Sequence, residues 1–310
     1  MIAEFPLFVA VADSFLQPAG PVAEAQLEHL KTVTILTLIA IIPPLLATPW
    51  VLWRFRRKKG KGRYLPEWES NKTLEWLMWG VPILVVILMS VSLARITLRL
   101  DPYKELGDDP LQIDVIGLNW KWIFIYPDEG IALVDELIVP DGKAVELTLT
   151  TDTVMQSLRI SAIVGQIYAM PAMTTKLNFI ADGVGESRGM NTQFTGEGFW
   201  KQKFPVYSVS EEEYRKRMEE AKQSTLELTA ETYAILAEQG TSEDAKKPLG
   251  IEGLEGPIEM VLGDPEIFNR VLARYMTGEG MTPESQPGSP EYDPKQSPLP
   301  PASDMPMMHM

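Results

Sequence analysis

Two apolar stretches near the N-terminus, residues 33–53 and 77–94, constrain the fold of this chain more than any other feature. Apolar runs of about 17–25 residues are long enough to cross a bilayer as helices. Between them, residues 54–72 carry eight basic side chains and only two acidic ones. A short basic connection between two spans stays on the cytoplasmic side of a membrane. The pattern predicts a transmembrane hairpin over residues 25–99, with both termini and all later residues outside.

The rest of the chain is strongly acidic. The whole sequence has 28 basic and 42 acidic residues and a net charge of -14. Without the eight cations and two acids of residues 54–72, 20 basic side chains remain against 40 acidic ones. Such a surface is typical of a soluble external domain, and it disfavours binding of that domain to nucleic acid or anionic lipid.

The residue types exclude several kinds of chemistry. The sequence contains no Cys and only two His, His29 and His309. Without Cys there are no disulfides, thiolate–metal sites or lipidated cysteines in this sequence. Two His so far apart also disfavour an imidazole-based catalytic centre. The external domain must therefore rely on a hydrophobic core, which about 100 residues of β structure can supply.

Residues 1–24 are predicted to form an external N-terminal segment. The apolar stretch 5–12 is not preceded by the basic residues of a signal peptide. We therefore expect a mature or truncated N-terminus on the membrane surface, with a cleaved signal as the alternative.

Residues 108–207 show the periodicity of β structure. Apolar side chains alternate with polar ones in several short runs, as in half-buried antiparallel strands. Turn sequences rich in Pro, Asp and Gly separate the runs, at 127–130, 140–142 and 182–183. This spacing predicts a β-sandwich or barrel.

Helical patterns follow over residues 208–276. Ser210 precedes three glutamates, which is typical of a capped helix start. Two further helices are predicted over residues 229–239 and 264–276, the last with Pro265 at its first position.

The remaining residues, 277–310, are rich in Pro, Ser, Gly and Met and are predicted to be disordered. Thioethers at 305–310 are a possible Cu(I) ligand set. A disordered terminus is favoured, because the segment has one His and no Cys.

Four motifs carry a resemblance to a known family. They are Asn-Lys-Thr-Leu-Glu-Trp at 71–76, Leu-Asn-Trp-Lys-Trp-Ile-Phe-Ile-Tyr-Pro at 118–127, Gly-Gln-Ile-Tyr-Ala-Met at 165–170 and Gly-Glu-Gly-Phe at 196–199. In this order they resemble subunit II of haem-copper terminal oxidases, and more narrowly that of bo-type ubiquinol oxidases. The resemblance implies an α+β membrane protein. A two-helix transmembrane hairpin is followed by a periplasmic cupredoxin-like β-sandwich and C-terminal helices.

The resemblance also implies where a metal centre is missing. In cytochrome c oxidases this subunit holds dinuclear copper through one His and a Cys-x-Glu-x-Cys-x3-His-x2-Met loop. When the motif is aligned on its Glu, the corresponding residues here are Gln156, Thr195, Glu197, Phe199, Lys203 and Val206. Only Glu197 matches, and in the family it contributes a backbone carbonyl. Copper of this kind needs thiolate and imidazole ligands, so we expect no metal in this chain.

The resemblance implies that this chain is a non-catalytic subunit of a ubiquinol oxidase in the bacterial inner membrane. Such a complex oxidises quinol, reduces oxygen to water and pumps protons. The partners would be subunits I, III and IV, with two haems, one copper and the ubiquinol all bound by subunit I. A cytochrome c oxidase subunit with its own metal centre is nearly excluded, because Cys is absent. A membrane-tethered module that senses a periplasmic ligand is the alternative outside this family.

Glu75 is the residue for which the resemblance implies a mechanistic role. It matches a glutamate at the entrance of a proton-uptake channel that continues in subunit I, and an exposed carboxylate can collect protons. The alternative is an acidic residue that the dipole favours at a helix start.

Trp120 and Trp122 lie two apart on a predicted strand and so share one face. They either contact subunit I or pack in the core, and core packing is favoured.

Arg95 and Arg99 are one turn apart at the external end of the second span. Snorkelling to the interface is favoured for them over ion pairs with subunit I.

Overall fold

The structure is a computed structural model that describes residues 11–12, 14–56, 66–67, 69–276 and 281–301. The chain divides into two compact units. One comprises residues 25–101, and the other comprises residues 1–24 together with 102–310. Most of the basic segment and the Met-rich residues 305–310 lie outside the described residues.

Two long helices, α1 (Pro21–Arg54) and α2 (Lys72–Arg99), contain the apolar stretches. They have 34 and 28 residues, and both are long and apolar enough to cross a membrane. α1 remains helical through its three interior prolines. α2 begins after Asn71, whose side-chain oxygen accepts a hydrogen bond from the Leu74 amide at 3.1 Å. This bond satisfies one of the free amides at the helix start.

The described strands of the larger unit form two sheets. They are β1 (Val11–Ala12), β2 (Leu111–Leu118), β3 (Lys121–Tyr126), β4 (Ile131–Val134), β5 (Leu137–Pro140), β6 (Ala144–Thr151), β7 (Gln156–Ile160), β8 (Gly165–Ala169), β9 (Thr175–Ile180), β10 (Gly185–Asn191), β11 (Lys203–Val209) and β12 (Ile258–Val261). One sheet has the order β5–β11–β10–β7–β8, with β1 beside β10, and the other β12–β4–β3–β2–β6–β9. The predicted β-sandwich is confirmed.

The core of the sandwich is formed by the alternating apolar residues of the predicted strands. Ile113, Leu147 and Phe179 from the second sheet meet Leu158 and Phe204 from the first. Each is almost completely buried. Burial of one such side chain stabilises the fold by about 1.5–3 kcal/mol. The alternation therefore decides which face of each strand points inward.

Two of the predicted turns contain a glycine with a positive φ angle. Gly142 and Gly183 have φ angles of 73° and 91°, which L side chains rarely adopt. The Gly183 amide also donates to the Asp141 carboxylate at 2.7 Å, so the two turns are joined.

α3 (Glu211–Ala221) packs its buried residues Tyr214, Met218 and Ala221 into the core of the sandwich. α4 (Ala230–Ala237), α5 (Ser242–Lys246) and α6 (Ile267–Arg274) form a helical layer on the outer face of the second sheet. Ser210 caps α3 as predicted, through a bond from the Glu213 amide at 3.3 Å. α5 and β12 were not predicted. α6 begins after Glu266, so Pro265 precedes the helix.

Residues 281–301 pack on this helical layer. The Gly288 amide donates to the Ala237 carbonyl at 3.0 Å, and the Asn119 side chain donates to the Gly288 carbonyl at 3.1 Å. Leu299 is only 8% exposed and joins the apolar cluster beneath the helices. The predicted disorder does not hold for these residues. A few anchoring contacts hold a segment whose overall composition is polar.

The described residues before α1 belong to the same unit as the sandwich. β1 pairs with β10, and the Ala19 amide donates to the Ala162 carbonyl at 2.7 Å. The Asp182 amide in turn donates to the Ala19 carbonyl at 2.9 Å. The described part of this segment therefore packs on the sandwich, whereas most of the apolar stretch 5–12 lies outside the described residues.

Candidate functional site

A buried network of neutral amides lies where the resemblance places the copper ligands. Gln156 opens β7, and its side chain has no exposed surface. Its amide nitrogen donates to the Leu118 carbonyl and to the Thr153 hydroxyl, both at 3.0 Å. Its amide oxygen accepts a 2.7 Å bond from Gln202. Both ends of the side chain are therefore occupied.

Gln202 and Asn191 complete this amide network. The oxygen of Gln202 accepts from the Asn191 side chain at 2.9 Å. The oxygen of Asn191 accepts from the backbone amides of Ser157 and Gln193, at 3.0 and 2.9 Å. These groups offer amides that already bond to each other, whereas copper requires thiolate or imidazole. The residues do not fit a copper centre.

The other aligned positions do not gather around Gln156. Thr195 and Val206 are buried, Glu197 and Lys203 are exposed, and Phe199 packs edge-on against Phe194. The contact between Gln156 and Gln202 favours a motif register one residue earlier. In that register the loop positions are Phe194, Gly196, Gly198, Gln202 and Pro205.

Trp120 lies over the loop that would carry the ligands. Its indole nitrogen donates to the Thr195 carbonyl at 2.9 Å. A Cβ atom on Gly198 would lie 1.9 Å from the Trp120 ring, so only glycine permits this contact. Trp120 precedes β3 and remains partly exposed, whereas Trp122 is completely buried in the core. The two tryptophans thus have different environments.

The loop between β6 and β7 joins the amide network to the C-terminal helices. Asp152 is fully buried between Thr151 and Thr153, and the hydroxyl of Thr153 holds Gln156. The Asp152 carboxylate accepts from the Tyr233 hydroxyl at 2.7 Å and lies 3.5 Å from Nε of Arg274. Burial raises the pKa of Asp152, while Arg274 acts in the opposite direction. Sequence patterns gave no sign of this ion pair.

A second buried charge lies on β3. The ammonium of Lys121 donates to the carbonyls of Glu238 and Gly240, at 2.9 and 2.8 Å, at the end of α4. Burial lowers the pKa of Lys121 to about 8. Nearby Asp135 accepts from the Trp122 amide at 2.7 Å, and burial raises its pKa to about 6. Asp135 and Lys203 line a polar surface cavity of about 580 Å³.

Glu75 lies in the first turn of α2 and is exposed. Its amide donates to the Asn71 carbonyl at 2.9 Å, so the cap at Asn71 fixes its place at the start of the helix. Nothing in the described part of this unit covers the carboxylate.

Together these observations define a class: a protein with two helices of membrane-spanning length and a cupredoxin-like sandwich that contains a buried amide network around Gln156 and Gln202. Ubiquinol oxidase subunit 2 of Acetobacter aceti is 34% identical over 268 residues, which cover 85% of this chain and 83% of that protein. Cytochrome bo(3) ubiquinol oxidase subunit 2 of Pseudomonas putida is 36% identical over 259 residues, covering 83% and 82%. The chain belongs to the ubiquinol oxidase subunit 2 family.

The comparisons with solved structures and with protein-family models are less informative about this chain. The periplasmic domain of cytochrome oxidase subunit II (CoxB) from Bradyrhizobium japonicum is 22% identical, with a TM-score of 0.37 over 38% of this chain and 97% of that domain. No protein-family model matches the chain. The sequence relatives favour an oxidase subunit over a membrane-tethered sensor.

Proposed function

We propose that this chain is the second, non-catalytic subunit of a terminal oxidase that oxidises ubiquinol, reduces oxygen to water and pumps protons. The observation that carries the proposal is the bond between Gln156 and Gln202 inside a saturated amide network. A subunit without copper ligands has no means to take electrons from cytochrome c, which supports quinol as the reductant. The two haems, the copper and the quinol would all be bound by subunit I.

The proposed topology places residues 54–72 in the cytoplasm and the sandwich in the periplasm of a bacterial inner membrane. The basic composition of that connection supports this orientation. α1 and α2 would pack against subunit I, and subunits III and IV would complete the complex. The sandwich would cover subunit I on the outside.

Trp120 is the proposed contact of the sandwich with subunit I. Its indole is fixed by the bond to Thr195 and by packing on Gly198, yet one edge stays accessible. A rigid aromatic side chain loses little conformational freedom on binding, which suits an interface. Trp122 is excluded from this role by its burial.

Glu75 is the proposed entrance for protons from the cytoplasm. Its support is an exposed carboxylate at the start of α2, at the end that carries the basic connection.

The variant Glu75→Gln keeps the shape and removes the charge. We expect it to slow oxygen consumption several-fold while haem content is unchanged. Glu69→Gln, on the same connection, is the matched control and should keep the wild-type rate. An unchanged rate in Glu75→Gln would remove Glu75 from the mechanism.

The oxidase proposal is tested by purifying the complex through a tag on this chain. We expect haem, one copper per complex and rapid oxidation of ubiquinol that stops without oxygen. The isolated full-length chain, titrated with copper, should bind none at the amide network. Rapid oxidation of reduced cytochrome c by the complex, or stoichiometric copper bound at the amide network of the isolated chain, would contradict the proposal.

A further inference from the structure

A cavity lined by both polar and apolar side chains lies between α1 and α2 at the ends of the two spans. Its volume is about 320 Å³. The polar side chains that line it are Glu28, His29 and Thr32 from α1, and Ser92, Arg95 and Arg99 from α2. His29 Nδ1 lies 3.3 Å from the Ser92 hydroxyl, so the two helices are linked at the cavity wall. Polar groups therefore converge here from both helices.

The cavity lies at the depth of lipid headgroups. The apolar stretch 77–94 rises about 27 Å as a helix, close to the roughly 30 Å thickness of the hydrocarbon layer. Arg95 and Arg99 follow that stretch directly, and on α1 the polar residues precede the apolar stretch 33–53. Both sets therefore lie at the same membrane boundary, opposite the basic connection.

The charges in the cavity have no ion-pair partner among the described residues. Arg95 and Arg99 are one helical turn apart, and neither guanidinium lies within 4.0 Å of Glu28. The planar, multiple N–H donors of arginine match the geometry of phosphate oxygens. Glu28 adds one negative charge to the same cavity. The combination suits a ligand with a phosphate and a neighbouring cation.

We propose that this cavity binds the headgroup of a zwitterionic glycerophospholipid. Arg95 and Arg99 bind the phosphate diester, and Glu28 accepts hydrogen bonds from the headgroup ammonium. A lipid is the source of the phosphate because the cavity opens at headgroup depth between two spans. The acyl chains would follow the apolar surfaces of α1 and α2.

The test uses the purified complex that contains this chain, stripped of lipid by detergent and studied by native mass spectrometry. Four probes are added: phosphatidylethanolamine, phosphatidylglycerol, a diacyl glycolipid without phosphate, and inorganic phosphate. We expect Arg95→Gln/Arg99→Gln to lower affinity for phosphatidylethanolamine by a factor of about ten or more. Lys31→Gln removes an exposed cation on α1 that does not line the cavity, and should bind as the wild type does. Glu28→Gln should reduce the preference for phosphatidylethanolamine over phosphatidylglycerol.

Several results would overturn the proposal. Equal retention of phosphatidylethanolamine by the wild type and by Arg95→Gln/Arg99→Gln would overturn it. Binding of the phosphate-free glycolipid as tight as that of phosphatidylethanolamine would also overturn it. Binding of inorganic phosphate with no lipid binding would identify free phosphate as the ligand. Loss of another subunit with unchanged lipid would assign the arginines to a protein contact. If the double variant does not assemble, Arg95→Lys/Arg99→Lys keeps the charge but not the guanidinium geometry, and should still weaken lipid binding.

Discussion

The substitution Asp152→Asn tests how the sandwich holds its C-terminal helices. Asp152 is completely buried, with Arg274 3.5 Å from one carboxylate oxygen and the Tyr233 hydroxyl 2.7 Å from the other. Arg274 is itself only 6% exposed and lies in α6. Asn keeps the shape of the side chain and its acceptor for Tyr233. The change therefore leaves a buried guanidinium without its counter-charge.

The expected effect is large for one substitution. Removal of one partner from a buried ion pair destabilises a protein by about 3–5 kcal/mol. Asn keeps part of the Tyr233 bond, so the lower end, about 3 kcal/mol, applies. In a unit of this size 1 kcal/mol lowers Tm by about 2–4 °C, so the expected decrease in Tm is about 6–12 °C.

The measurement is thermal unfolding of the full chain in detergent, together with hydrogen exchange. Exchange should increase in α4, α6 and residues 281–301, and remain slow in β2 and β6. Arg274→Met should also destabilise, and less at pH 5 than at pH 7. Without Arg274 the opposing charge is gone, so burial raises the pKa of the Asp152 carboxyl further, and protonation at low pH removes the buried charge.

The double variant Asp152→Asn/Arg274→Met is the control. With both charges removed, the destabilisation should be smaller than the sum of the two single effects by more than about 1 kcal/mol. Additive effects, or a decrease in Tm below about 2 °C for Asp152→Asn, would refute an ion pair that holds the helices.

Two more predictions concern the surroundings of the amide network. The raised pKa of Asp135 means that its folded form binds a proton more tightly, so its contribution to stability falls as pH rises from about 4 to about 6. Asp135→Asn should make Tm depend less on pH over this range. Asp114, whose pKa is also raised to about 6, should still give the variant the remaining dependence on pH. An unchanged curve of Tm against pH would contradict the assignment to Asp135. Gly198→Ala should displace Trp120 and destabilise by about 1–3 kcal/mol, seen as a red-shifted tryptophan emission. Unchanged emission and Tm would show that the contact is not tight.

Local signals explain what was predictable. The apolar length of residues 77–94, the alternation of Ile113 with its polar neighbours and the cap at Ser210 each act over a few residues. In the structure they appear as a helix, a strand and a capped helix start, respectively. The physical causes, which are bilayer thickness, strand pleat and free helix amides, are independent of distant residues.

Distant contacts were not predictable from the same patterns. Gln156 and Gln202 are 46 positions apart, and periodicity gives no sign of the hydrogen bond between them. Lys121 is a charged residue at the start of β3, and lysine is rarely buried, but carbonyls at the end of α4 surround its ammonium. In both cases the partners come from other elements, which periodicity does not identify.

The amide network and the Asp152 pair meet in the loop between β6 and β7, and their hydrogen bonds order the loop that contains Gln202. A metal ion would hold that loop to β7 by coordination. Here Gln202 holds it to Gln156 instead, and the Thr153 hydroxyl links Gln156 to the loop that contains Asp152. Tyr275 of the helical layer donates to the Asp152 carbonyl at 2.6 Å. Hydrogen bonds thus run from the loop that contains Gln202 to the C-terminal helices, and they provide the rigidity that Trp120 needs for the proposed contact with subunit I.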